Sequence, residues 1–205
     1  MNSKSSWIDG VLLSFLIIFV IFDPYYLQKE ISIFELGLYL PGIDAVLQGQ
    51  IPYKDFFYLR GPLELYVPAF LMQLFGTNVA VLSTYFYVGT VLCLFLCFFM
   101  ARELYSGRWL LYVMVPVLVA RTFPRVVFTY WGGMRYAWGL MAILCILMFW
   151  KKQKNLWLFL AGLITVVAGL TSVEIGVCAF IAIMAAFFID VTGRKGWKVY
   201  LSTVV

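Results

Sequence analysis

The chain has 205 residues, of which 64% are hydrophobic and 12% charged, and its mean hydropathy is +0.95. Soluble domains average about 45–50% apolar and about 25% charged residues, so a water-soluble globule, a disordered tail and a disulfide scaffold are excluded. The net charge is +5 with no histidine, which removes imidazole acid–base chemistry, His-held metals and every triad that needs a His base.

Taken in chain order, the first apolar run is Trp7 to Phe22. One lysine precedes it and no small-residue cleavage site follows, so an uncleaved first span is expected rather than a signal peptide. Asp23 to Arg60 carries Asp23, Glu30, Glu35, Asp44 and Asp55 together with Pro24, Pro41 and Pro52. Such a segment cannot cross hydrocarbon, and its leucines and aromatics predict helices lying in the membrane interface. Leu63 to Phe75 is an apolar helix candidate broken by Pro68 and closed by Gly76, expected to be interfacial or partly inserted. Spans are then predicted at Val79–Ala101, Trp109 to about Val119, Tyr136–Trp150, Leu156 to about Leu170, and Ile175–Ile189. Between them lie Arg102–Arg108, the Arg121–Arg135 connection, the KKQKN segment and a polar break at Thr171, Ser172 and Glu174. Val199–Val205 reads as the first turns of a further span.

The expected fold class is all-α. It is a polytopic transmembrane helical bundle of about six full spans, with interfacial helices in the first extracytoplasmic loop. Residues 1–205 then form one membrane domain. Lys/Arg in short loops set orientation. With the N-terminus inside, Lys4, Arg102, Arg108, Lys151, Lys152, Lys154, Arg194, Lys195 and Lys198 are cytoplasmic, against Lys29, Lys54, Arg60, Arg121, Arg125 and Arg135 outside. Most carboxylates fall outside, largely in the first loop. Cys93, Cys97, Cys145 and Cys178 lie inside apolar runs and read as small buried hydrophobes. The basic residues form no stripe, so no nucleic-acid partner is expected.

Charges near hydrocarbon are costly and tend to be paired or functional. Glu35 and Asp44 are about two and a half helical turns apart, with Pro41-Gly42 between them deciding whether they share a face. Asp55 follows a turn at Gly49–Pro52 and leads through aromatics to Arg60-Gly61-Pro62. A carboxylate here suits a general base, and Arg60, Arg121, Arg125 and Arg135 suit phosphate on the same side. Each also has a structural reading: Glu35, Asp44 and Glu64 as solvated helix faces, Asp55 as a turn cap, Arg60 as a snorkelling cation, Glu174 as an ion-pair partner.

The ordered elements are Glu35 with Gly37-Leu38-Tyr39-Leu40, then Gly49, Pro52-Tyr53-Lys54-Asp55, Gly61-Pro62-Leu63 and Leu74-Phe75-Gly76. This pattern resembles the first periplasmic loop of GT-C glycosyltransferases, the protein O-mannosyltransferases and lipid A aminoarabinose transferases among them. Arg135-Tyr136 entering a span and the Thr171–Glu174 break add weaker likenesses. Phe34 stands where many members have Asp, and Arg60-Gly61 where many have His-Pro or Lys-Pro.

The resemblance implies a membrane glycosyltransferase, the chain being the N-terminal part of a longer enzyme. The sugar would come from a polyprenyl-phosphate donor and pass by inverting transfer to an extracytoplasmic glycan, lipid or protein. Glu35 takes the position of the family's acidic element and Asp55 that of its second acid, with Asp44 a third candidate. Tyr53, Arg60, Glu64, Arg135 and Glu174 are the substrate-binding candidates. No metal ligand set is assigned, and Mg²⁺ or Mn²⁺ is the ion type that oxygen ligands without His would take. A bacterial inner membrane is the expected setting. A multi-span transporter or a non-catalytic scaffold is the other class of reading. It would call for repeated halves and mid-span charges, whereas the chain has no internal repeat and its charges cluster in one loop.

Overall fold

The computed structural model describes residues 33–104 and 133–193, with Ile8, Val11 and Phe15 as isolated helical positions before them. The runs Trp7–Phe22 and Trp109–Val119, Arg121, Arg125 and Val199–Val205 therefore lie largely or wholly outside the described residues. Among the described residues the chain is all-α. Six helices follow one another: α1 (Ile33–Leu47), α2 (Leu63–Phe75), α3 (Val79–Leu104), α4 (Gly133–Lys152), α5 (Asn155–Thr171) and α6 (Val173–Gly193).

Two of these are long and apolar enough to cross a membrane, Val79–Leu104 and Met134–Lys152. The stretches Asn155–Thr171 and Val173–Phe188 are apolar but shorter. The 17 residues of α5 rise about 25 Å against a hydrocarbon core of about 30 Å.

The prolines behave differently from the sequence expectation. Pro41 lies inside α1 and Pro68 inside α2, and neither helix is interrupted. Proline removes one backbone donor and crowds the preceding turn, but Pro68 is fully buried within α2's packed face. Because α1 is continuous, positions 35 and 44 stand half a turn out of phase, on opposite sides of the helix. The helix α2 does close at Gly76, whose φ of +95° favours a residue without Cβ.

Two packing regions organise the described residues. In the first, α1, α2 and α3 enclose Tyr39, Ile43, Leu65, Ala69, Met72, Leu82, Tyr85 and Phe86. Tyr39 is fully buried, its ring meeting Phe86 edge-on at 4.8 Å. In the second, α4 packs between α3, α5 and α6. Small residues let these backbones approach: Ala137, Ala142, Ala161 and Ala168 are all fully buried. A Cβ on Gly139 would lie 2.7 Å from Ile175 Cγ2, and one on Gly176 would lie 2.4 Å from Gly169 Cα. The outer flanks of α5 and α6 stay apolar and exposed, through Phe159, Leu163, Val166, Phe180, Ile181 and Phe188. That is the surface expected of helices facing lipid.

The first loop joins these regions. The α1 end closes over Gly49, at φ +86°, with Gln50 N–H donating to Ala45 O at 2.9 Å. Farther on, Gly61 N–H donates to Thr171 O at 3.0 Å, so the loop caps a carbonyl at the end of α5.

Candidate functional site

The site is built where the loop meets the α5–α6 break. Arg60 lies one turn before α2 and Glu64 in its first turn, the i,i+4 spacing that lets opposite charges meet. Arg60 Nη1 stands 3.7 Å from Glu64 Oε1, both side chains almost wholly buried. Tyr39 from α1 bridges the two. Its hydroxyl accepts from Arg60 Nη1 and donates to Glu64 Oε1 at 2.6 Å, and the guanidinium sits 5.1 Å over its ring. Burial, and next the negative charge of Glu64, push the Tyr39 phenol well above its ordinary range, so it stays a hydroxyl donor. A buried cation, a buried anion and a phenol thus form one internally compensated unit.

The loop backbone holds this unit in place. Tyr53 adopts a left-handed φ of +67°, a conformation that costs an L-residue about 1–2 kcal/mol. Two bonds hold it there: Tyr53 N–H donates to Phe56 O at 2.8 Å, and Tyr53 Oη donates to the Arg60 carbonyl. The turn before it is tied by Asp55, whose Oδ2 accepts the Ile51 N–H at 2.8 Å. The Asp55 N–H returns to Ile51 O at 2.9 Å.

Across the Gly61–Thr171 junction, the break supplies polar groups of its own. Ser172 is extended at φ −152°, ψ 116°, and fully buried. Its C=O accepts from Gly176 N–H at 3.0 Å, which starts α6. Its hydroxyl donates to Glu174 Oε2. That bond holds the exposed Glu174 carboxyl below its usual range, and the charges of Arg135 and then Arg60 act in the same direction. Arg135, in the first turn of α4, is 8% exposed. Its Nη2 donates to Tyr136 Oη at 3.0 Å and its guanidinium lies 4.8 Å over the Tyr136 ring.

The structure pairs Arg60 with Glu64, sets the Tyr53 hydroxyl on the Arg60 carbonyl, and leaves Glu174 within electrostatic reach of Arg135 and Arg60. It does not bring Asp44 to them: Asp44 is exposed and accepts from Gln48 Nε2 at 2.7 Å. Asp55 is also exposed, on the turn it ties. Glu35 lies on α1, and its side chain is outside the described residues. Among the described residues no three carboxylates or cysteines stand close enough together to hold a metal ion.

Sequence reasoning missed Tyr39 as a site residue. It stood inside the Gly-Leu-Tyr-Leu element, but its partner Glu64 lies 25 positions away, beyond any local spacing rule. Thr171 and Ser172 were visible as a polar break, though not as the seat of the loop. No family model matches the chain, and neither the curated proteins nor the solved structures contain a significant match to it.

Proposed function

We propose that the protein is a polytopic membrane glycosyltransferase of the GT-C kind. In this reading it moves a sugar from a polyprenyl-phosphate donor to an extracytoplasmic acceptor. The observation that supports it is the docking of the charged first loop. Arg60, Glu64 and Tyr39 form a buried unit seated on the polar break, beside Glu174 and Arg135, at one end of an apolar helical bundle. A solvated linker has no reason to bury two charges and a phenol in this way.

The chemistry needs three things from such a place. A carboxylate takes the proton of the acceptor hydroxyl as its oxygen attacks the anomeric carbon. The bond from that carbon to the phosphate oxygen breaks on the opposite face, so configuration inverts. Cationic donors hold the polyprenyl phosphate that leaves with the electron pair. Glu35 and Asp55 are the proposed bases, and Asp44, exposed and bonded to Gln48 on the other side of α1, is set aside. Arg60, Arg135, Glu64, Glu174 and Tyr53 are proposed to line the donor. The proposed setting is a bacterial inner membrane, with the N-terminus cytoplasmic and the loop outside.

The test is donor turnover in membranes with radiolabelled polyprenyl-phosphate sugars. The full-length product is compared with a Glu35→Gln/Asp55→Asn variant that still inserts. Label transfer by the wild type and its loss in the variant are expected. Equal transfer in both would move the base elsewhere. No transfer by the inserted wild type across several sugars would overturn the transferase reading in favour of a transporter or scaffold.

A further inference from the structure

The loop junction lies at one end of the bundle, and the other end gathers a different set of residues. Lys151 Nζ stands 2.6 Å from Glu103 Oε2, which joins the end of α4 to the end of α3. Lys152 Nζ lies 5.1 Å over the ring of Trp157, in the first turn of α5. The Phe149 and Phe187 rings, 5.9 Å apart, bring the last turns of α6 to the same place. Four helix ends converge here, and their charge is mostly of one sign. Residues 102–108, 151–154 and 190–198 hold eight Lys or Arg against two acids, Glu103 and Asp190. Residues 1–9 carry one basic side chain, Lys4, and one acid, Asp9, so bringing them to this end would leave that excess unchanged.

The α4–α5 turn shapes part of this charge. Gln153 takes a left-handed φ of +51°, held by its N–H on Phe149 O at 2.7 Å and its Nε2 on Trp150 O at 2.8 Å. Lys154 is then extended, at φ −107° and ψ 123°. Lys152 and Lys154 flank this fixed corner, both exposed, while Lys151 is turned to Glu103. Two residues beyond Lys154 an apolar track begins. Leu156, Phe159, Leu163 and Val166 follow at spacings of three and four on one face of α5, all more than half exposed. From Leu156 to Val166 the helix rises about 15 Å, half of a hydrocarbon core of about 30 Å. A cation pair above an apolar strip one leaflet deep matches a phosphate headgroup with its acyl chain. A soluble anion would use the first and leave the second.

We propose that the α4–α5 turn binds an anionic phospholipid of the surrounding bilayer, with the headgroup phosphate between Lys152 and Lys154 and an acyl chain along Leu156–Val166. Ammonium groups on flexible stems are suited to a headgroup that moves with its leaflet, and the Trp157 ring holds Lys152 at headgroup level. The site lies at the opposite end of α4 and α5 from Arg135 and Thr171, apart from the proposed donor. The inference rests on the membrane part of the proposed function and not on sugar transfer.

The experiment uses the full chain in a neutral detergent and measures binding of a short-chain fluorescent phosphatidylglycerol. Unlabelled phosphatidylglycerol, phosphatidylcholine of the same chain length and inorganic phosphate are the competitors. Only the first is expected to displace the probe at matched concentration. Each lysine beside an anionic headgroup is worth about fivefold in affinity. Lys152→Gln/Lys154→Gln is therefore expected to lose about thirtyfold, and Lys152→Arg/Lys154→Arg to bind as the wild type does. Lys154→Gln alone, expected to lose about fivefold, is set against Lys54→Gln, which removes the same charge from the exposed first loop and is expected to lose nothing.

Equal losses in Lys154→Gln and Lys54→Gln would reduce the effect to bulk attraction and overturn the site. Wild-type affinity in the double Gln variant would refute it outright. Displacement by phosphatidylcholine as readily as by phosphatidylglycerol would overturn the proposal and leave the basic end to an acidic protein partner. Displacement by inorganic phosphate would overturn it in favour of a soluble anion. Sugar transfer by a protein that fails these tests would sink this inference alone, and lipid binding without transfer would sink the transferase alone.

Discussion

Gly61→Ala is the sharpest perturbation that the loop junction allows. A Cβ at this position would lie 2.1 Å from Leu170 O, 2.4 Å from Leu170 C and 2.7 Å from Thr171 C. All three are backbone atoms, so no rotamer change relieves the clash. Restoring ordinary contact needs a retreat of about 1 Å or more at the end of α5. The same retreat would pull apart the 3.0 Å bond from Gly61 N–H to Thr171 O. Overpacking costs about 1–3 kcal/mol and the lost bond about 0.5–1.5 kcal/mol, so about 1.5–4.5 kcal/mol together. For a chain of this size each kcal/mol moves the midpoint about 2–4 °C, which places the loss at roughly 3–18 °C. Gly37→Ala is the control. Gly37 is exposed on α1 with nothing within 4 Å of an added Cβ, and helix propensity there favours Ala by up to about 1 kcal/mol. Thermal unfolding of the detergent-solubilised protein, followed by tryptophan fluorescence, reads both. If Gly61→Ala melts with the wild type, the loop does not sit on the break as described.

Tyr39→Phe keeps the ring against Phe86 and removes the hydroxyl shared by Arg60 and Glu64. A loss of about 1.5–3 kcal/mol is expected in chemical denaturation, and a neutral result would show that the two charges pair without the phenol. Glu64→Leu strands Arg60 and should cost about 3–5 kcal/mol, more than Tyr39→Phe in the same assay. For Glu174 the folded carboxyl is held below its ordinary range, first by the Ser172 hydroxyl. Its contribution is therefore present above the ordinary carboxyl value of about 4.3 and lost as pH falls through the folded one. The stability gap between wild type and Glu174→Gln should shrink as melts are taken from pH 6 down to pH 3, and parallel curves would refute this. Lys151 and Glu103 pair at 2.6 Å, but Lys151 is 52% exposed, so Lys151→Ala should cost under about 1 kcal/mol and vanish in high salt.

Helix positions were the readily legible part of this sequence, because apolar runs and their charged or turn-rich ends are local signals. α3 and α4 cover the predicted spans Val79–Ala101 and Tyr136–Trp150, and α2 begins and ends where Leu63 and Gly76 indicated. The behaviour of Pro41 and Pro68 was not legible, since packing decides whether a helix survives a proline. Arg60 and Glu64 read separately in the sequence, as a snorkelling cation and a solvated helix face, and the structure pairs them. Tyr39 could not be placed with them, because the fold, not the spacing, carries α1 across to α2. Asp55 shows the opposite problem. It carries two readings from the sequence, a chemical one and a turn cap, and the geometry shows the cap in its bond to the Ile51 N–H. The seating of Gly61 on Thr171 joins segments that no periodicity connects.

The link between α5 and α6 is a single residue, Ser172, where helix–helix connections in bundles usually take about 2–8. It therefore has no slack. One inserted residue would turn α6 by about 100° about its axis, swinging Gly176 off Gly169 and carrying Glu174 away from both arginines. The geometry at this point accommodates a changed side chain but not a changed chain length. The exposed Val173 is open to exchange, while an insertion or deletion would dismantle the helix crossing and the charged cluster in one step.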